Sequence, residues 1–116
     1  MAMQWTPLQS MQQLTEILAQ PGTALLFKHS TRCSISTVAL ERLNRSSLSE
    51  RVPSYLLDLL VHRDISNEIA TRLQVPHESP QILLVKDGQC CYDESHLSIG
   101  VDEIEEAIDQ LKAPAR

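Results

Sequence analysis

The chain has 116 residues, 42% of them hydrophobic and 22% charged, with a formal net charge of -5. That length fits one core and one domain over 1–116. The acidic balance, without a basic run, argues against nucleic acid, which needs a cationic face to displace counterions. In chain order, MQWTP (Met3–Pro7) opens as a short extended segment. SMQQLTEILAQPG reads as a helix, with a capping box at Ser10 and Gln13 and a stop at Pro21-Gly22. Its apolar face is Met11, Leu14, Ile17 and Leu18. TALLFKH (Thr23–His29) is a continuous apolar run of strand length, as a central buried strand requires. Ile35, Val38, Ala39 and Leu43 then recur at helical spacing, so a helix starts at about Cys33 and runs into the loop NRSSLSE.

SYLLDLLV is the next strand. Asp64 or Ser66 caps the helix after it, whose inner face is Ile65, Ile69, Ala70 and Leu73. QILLV is a strand, Asp87-Gly88 signals a tight hairpin, and QCCYDES returns as its partner. Ile104, Ala107, Ile108 and Leu111 stripe a last helix, with acidic residues in its first turn to complement the helix dipole. Early crossovers through helices imply parallel pairing, and the late hairpin implies an antiparallel edge. The expected architecture is α/β, a mixed central sheet with helices on both faces.

Chemistry gathers at KHSTRCSIS (Lys28–Ser36). A cysteine where a buried strand passes into a helix sits beside unsatisfied backbone N–H groups and the positive dipole end. Both favour thiolate over thiol, and the thiolate is the nucleophile. Arg32 adds a cation next door. Ser36, one helical turn on, can face the sulfur and donate a hydrogen bond to it, but cannot form a disulfide. A mixed disulfide at Cys33 therefore waits for an outside thiol or another cysteine. The competing reading is a small buried hydrophobe, the usual fate of a free cysteine.

Cys90 and Cys91 adjoin in a strand and so point to opposite faces, one buried and one exposed. Their expected role is structural; the alternative is that one resolves an adduct on Cys33. His29, four residues before Cys33, is a candidate partner for the sulfur, although spacing alone does not establish contact. His77 and His96 are further candidates, and His62 reads as a loop residue. No metal site is expected, because the Cys and His spacing matches no familiar finger. DEIEE (Asp102–Glu106) reads as a solvated helix face.

The strand-to-helix cysteine, ESPQILLVKDGQ and the final amphipathic helix together resemble the thioredoxin superfamily. The closer resemblance is to the monothiol bacilliredoxins, carried by FKHSTRCSIS (Phe27–Ser36), HESPQILLVKDG (His77–Gly88) and SHLSI (Ser95–Ile99). It covers nearly the whole chain. One departure is Ser34, where the family pattern has proline.

The resemblance implies a thioredoxin-like three-layer fold with a cis peptide at Pro80. It implies a monothiol thiol-disulfide oxidoreductase that takes bacillithiol from protein mixed disulfides through Cys33. It further implies that Thr31, Arg32 and Ser36 line the sulfur, and that the backbone at Ser79 pairs with the target beside Pro80. Bacillithiol is then a co-substrate and no cofactor is bound. The partners are S-bacillithiolated proteins, with no nucleic acid and no membrane.

Two other classes compete: a thioredoxin-like binding module without turnover, and an iron-sulfur carrier like monothiol glutaredoxins. The second uses Cys-Gly-Phe-Ser, whereas this chain has Cys-Ser-Ile-Ser. No apolar stretch approaches the roughly 18 residues of a membrane span, and the N-terminus lacks the features of a secretory signal. The expectation is a cytoplasmic monomer with three free thiols.

Overall fold

The computed structural model describes residues 3–112; the chain ends, with the domain limits placed there, lie outside the described residues. The elements are β1 (Trp5–Pro7), α1 (Met11–Ala19), β2 (Thr23–His29), α2 (Ser34–Asn44), β3 (Ser54–Asp58), α3 (Arg63–Leu73), β4 (Gln81–Lys86), β5 (Gln89–Ser95) and α4 (Val101–Lys112). Single 3₁₀ turns cover Leu48–Glu50 and His96–Ser98. They form one five-stranded sheet in the order β1-β3-β2-β4-β5. The first three strands in that order are parallel; β4 pairs antiparallel with both β2 and β5.

Strand periodicity divides the core between two faces. Leu25 and Phe27 of β2, with Ile82 and Leu84 of β4, pack under Ala39 and Leu43 of α2 and Ile104 and Ile108 of α4. Leu26, Leu83 and Val85 point the other way, onto Leu14 and Ile17 of α1 and Ile65, Ile69 and Leu73 of α3. A strand buried on both faces has no polar face to show, hence the continuous apolar run at β2.

Local signals explain most element ends. The Ser10 side chain accepts from the Gln13 N–H at 3.0 Å, capping α1. The return arm of the box lands one residue early, on the Gln9 N–H at 2.9 Å. Asp87 and Gly88 both take positive φ, 52° and 81°, as a two-residue hairpin of this hand requires.

Three expectations change. SYLLDLLV stops as a strand at Asp58, because the Asp58 carboxylate accepts from the Leu60 N–H and the Asp58 carbonyl accepts from Val61 and His62 N–H, closing a turn. The N-cap of α3 is His62 rather than Asp64 or Ser66; Asp64 falls in the first turn and Ser66 is buried inside the helix. Antiparallel pairing begins at β2–β4, before the hairpin.

Candidate active site

Cys33 is the N-cap of α2, in extended backbone at φ -108°, ψ 121°. Its N–H donates to the Ser30 carbonyl at 3.2 Å, and its carbonyl accepts from the Thr37 N–H at 3.1 Å and the Thr37 hydroxyl at 3.2 Å. The turn Ser30–Cys33 is thus tied at both ends. The sulfur is a free thiol, partly exposed, at the positive end of an 11-residue helix.

Beneath the turn lies Ser36, fully buried. Its oxygen accepts from the Ser30 N–H at 3.0 Å and stands 2.6 Å from His29 Nδ1. Burial pushes the His29 imidazole below its ordinary value, and Asp58, its register partner across β3, pulls it partly back. Ser36 Oγ is thus held by the turn's own backbone and by the His29 ring. His29 in turn stacks on Phe27 at 5.8 Å, and Phe27 meets Trp5 at 5.9 Å, so the chain's only Phe and only Trp prop the ring from below. Chain spacing left the His29 contact open; the structure gives that contact to Ser36.

Ser36→Ala strips a partner from two buried groups, the Ser30 N–H and the His29 ring. The expected loss in unfolding free energy is about 2 kcal/mol, since each orphaned buried group costs about 1–3 kcal/mol and both sit near loops that can relax. Urea denaturation checks it. An unchanged midpoint would mean that the turn holds without the serine.

The loop Pro76–Pro80 comes up beside this turn. Gln81 pairs with Lys28 across β2–β4, so continuing the register sets Pro80 level with His29 and Ser79 with Ser30. The Ser79–Pro80 peptide is cis and Pro80 is buried. Among the described residues the buried Ser79 hydroxyl has no hydrogen-bond partner. Thr31 and Arg32 are exposed on the turn. The exposed large apolar side chains cluster at the same end of the sheet. Ile35 and Val38 lie on the first two turns of α2, Leu60 and Val61 (68% exposed) follow β3, and Leu97 (63% exposed) follows β5.

The other two cysteines sit at the opposite end. Val85 pairs with both Ala24 of β2 and Cys90 of β5, five residues up the strand from His29. At about 3.3 Å per residue that is roughly 16 Å, against the 4.4–6.8 Å between Cα atoms that a disulfide needs. Cys91 is the extra residue of a β-bulge, where Leu84 and Val85 pair with Tyr92 and Cys90. Its thiol is exposed, while Cys90 packs partly against the α1/α3 core. Burial, then Asp93, push the Cys90 thiol up to about 11, which keeps it protonated and inert.

One residue at the Cys33 end of the sheet has no part in the functional reading of the sequence. Lys28 is fully buried on the α3 face of β2. The signal was a lysine inside a strand that otherwise reads as buried.

Comparison with known proteins follows the same lines. The family model described as monothiol bacilliredoxin BrxC matches residues 6–104. A solved structure described as a candidate oxidoreductase with a thioredoxin fold shares 29% identity and a TM-score of 0.79, covering 87% of this chain and 90% of its own. Thioredoxins of Malassezia sympodialis (16% identity, TM-score 0.72, coverage 95% and 92%) and Trypanosoma brucei brucei (11%, 0.72, 93% and 90%) share the fold.

Proposed function

The chain belongs to the monothiol bacilliredoxin family, and from that premise we propose that it removes bacillithiol from protein mixed disulfides through Cys33. Its fold is that of thioredoxin and its chemical class is thiol redox. The observation that carries the finer reading is the solitude of Cys33: one partly exposed thiol at a helix start, with both other thiols about five rungs away.

The reaction runs in two exchanges. The Cys33 thiolate attacks the bacillithiol sulfur, the target–sulfur bond breaks, and the target leaves as its own thiolate. A new disulfide joins Cys33 to bacillithiol. A second thiolate, from a low-molecular-weight thiol or a separate reductase, then attacks the bacillithiol sulfur and returns Cys33 as thiolate. That outside thiol is the reductant; it departs as a mixed disulfide with bacillithiol.

In this reading Thr31 and Arg32 flank the sulfur, and Ser36 acts by holding the turn that presents it. The Ser79 backbone pairs with the target beside Pro80, and the apolar rim at Ile35, Val61 and Leu97 takes the target's surface. Such a rim favours protein targets over free small disulfides.

The test mixes the reduced protein with a bacillithiolated model protein and follows both by intact mass. The target is expected to lose bacillithiol as this chain gains one adduct at Cys33. Cys90→Ser and Cys91→Ser are expected to keep transfer within about twofold of wild type, since neither thiol reaches the site. An adduct that clears itself into an internal disulfide would overturn the monothiol reading. Transfer of glutathione but not bacillithiol would keep the chemistry and overturn the co-substrate. No transfer of either would leave the binding module.

A further inference from the structure

Lys28 is the one lysine in the core, on the strand that ends at the nucleophile's turn. Its ammonium donates to the Ser66 carbonyl, in the first turns of α3, at 3.1 Å, and faces His77 Nδ1 at 3.2 Å. Ser66 Oγ closes the triangle at 3.3 Å from the same His77 nitrogen. Among the described residues no carboxylate lies within ion-pair distance of Lys28. Burial accordingly pushes its ammonium down to about 8, so it is still charged at neutral pH.

A buried, unpaired cation is a burden on the fold, and an apolar side chain of like size would serve packing better. Ser66 O is a helix carbonyl with an intrahelical donor, so it does not require the lysine. What the ammonium alone supplies is a link from β2 to His77, three residues before Pro80. The other ties on that loop come from elsewhere. The Gln81 side chain donates to the Pro76 carbonyl and accepts from the Glu78 N–H. From the β5 side, the His96 N–H donates to the Pro80 carbonyl, and the His96 ring meets Glu78.

Lys28 also fixes the state of His77. A donor at Nδ1 requires a lone pair there, so the ring is neutral with its proton on Nε2. Burial, Lys28 and Arg63 all push His77 toward that neutral form, against Glu78. His77 is exposed as a residue and lies two positions before Ser79.

We propose that Lys28 is a positioning residue for exchange with protein targets: through His77 it registers the Pro76–Pro80 loop against the strand that delivers Cys33. The inference rests on the exchange reading above. It deepens that reading by separating how a target chain is seated from how the sulfur reacts.

The experiment uses the full chain with Lys28→Met, His77→Ala and the double variant. Each is assayed against a bacillithiolated protein and against the small symmetric bacillithiol disulfide. For the protein target, KM is expected to rise about tenfold in either single variant, since small displacements in a docking site carry large rate costs. The double variant is expected to be no worse than the larger single one, as for two members of one link.

Turnover of the small disulfide should stay within about twofold of wild type. A purely structural role would move both substrates together, and His77, being exposed, can be truncated without threat to the core. Unchanged KM in either single variant, additive losses in the double, or equal losses on both substrates would overturn the proposal. Should wild type transfer nothing, the exchange reading fails, and amide hydrogen exchange at His77–Ser79 still decides the link. Faster exchange there in Lys28→Met, whose global stability is not lowered, supports it; unchanged exchange overturns it.

Discussion

Cys33→Ser is expected to leave bacillithiol on its target, with transfer below about one-hundredth of wild type, because the reaction needs a sulfur anion and the chain has no substitute within reach. A serine hydroxyl stays protonated near neutral pH and forms no stable bond to the bacillithiol sulfur. Cys90 and Cys91 cannot stand in, since the β4–β5 register holds them at the other end of the sheet. The substitution is otherwise mild. Cys33 is partly exposed and makes no side-chain capping bond, so the start of α2 is preserved. Intact mass of both partners over time measures the result, with a thermal melt to confirm the fold. Retained transfer would remove Cys33 from the mechanism.

The second large effect is a pH dependence of stability carried by Lys28. The unfolded chain holds the lysine proton up to the ordinary 10.5, the folded chain only to about 8. Between those values the unfolded state binds more protons, so stability contributed at this position rises with pH. Below pH 8 the burden of the buried cation is fully present; above 10.5 it is gone. Compared with Lys28→Met, the wild-type protein is expected to gain about 3 kcal/mol of unfolding free energy between about pH 7 and pH 10.5. Near neutral pH the methionine variant is expected to be the more stable of the two. Paired urea curves across that range check this, with titration of the tyrosines and other lysines cancelling in the difference. A constant difference would mean that water reaches the ammonium and the lysine ionises as an exposed one.

Much of this fold is readable locally. β2 announces itself by an apolar run, α1 by Ser10 and Pro21, the hairpin by Asp87-Gly88, because each signal acts over a few residues. The setting of the proposed nucleophile is equally local: strand end, cysteine, helix start. What could not be read depends on partners distant in sequence. Lys28 is buried by α3, nearly forty residues away, and its link to His77 spans 49 positions. Val61 reads as strand by composition, yet Asp58 turns the chain and leaves Val61 on the rim. β4 runs antiparallel to β2, a direction that no spacing within β4 records. Ser36 falls between these cases. Its place one turn on from Cys33 is legible from helical spacing, but its engagement by Ser30 and His29 follows from the shape of the turn.

That engagement bears on how such a protein can change its trade. Gaining a vicinal dithiol looks like a one-letter step, Ser36→Cys. Here the letter is already employed as a bracket: a thiol is bulkier, bonds hydrogen weakly, and would have to release both the Ser30 amide and the His29 ring before it could meet Cys33. Adopting self-resolving chemistry therefore demands rebuilding the floor of the turn, with His29 and its aromatic props revised in concert. Single-thiol habit is entrenched in the masonry below the nucleophile, and an isolated serine-to-cysteine change would most readily yield a poorer monothiol protein, not a dithiol one.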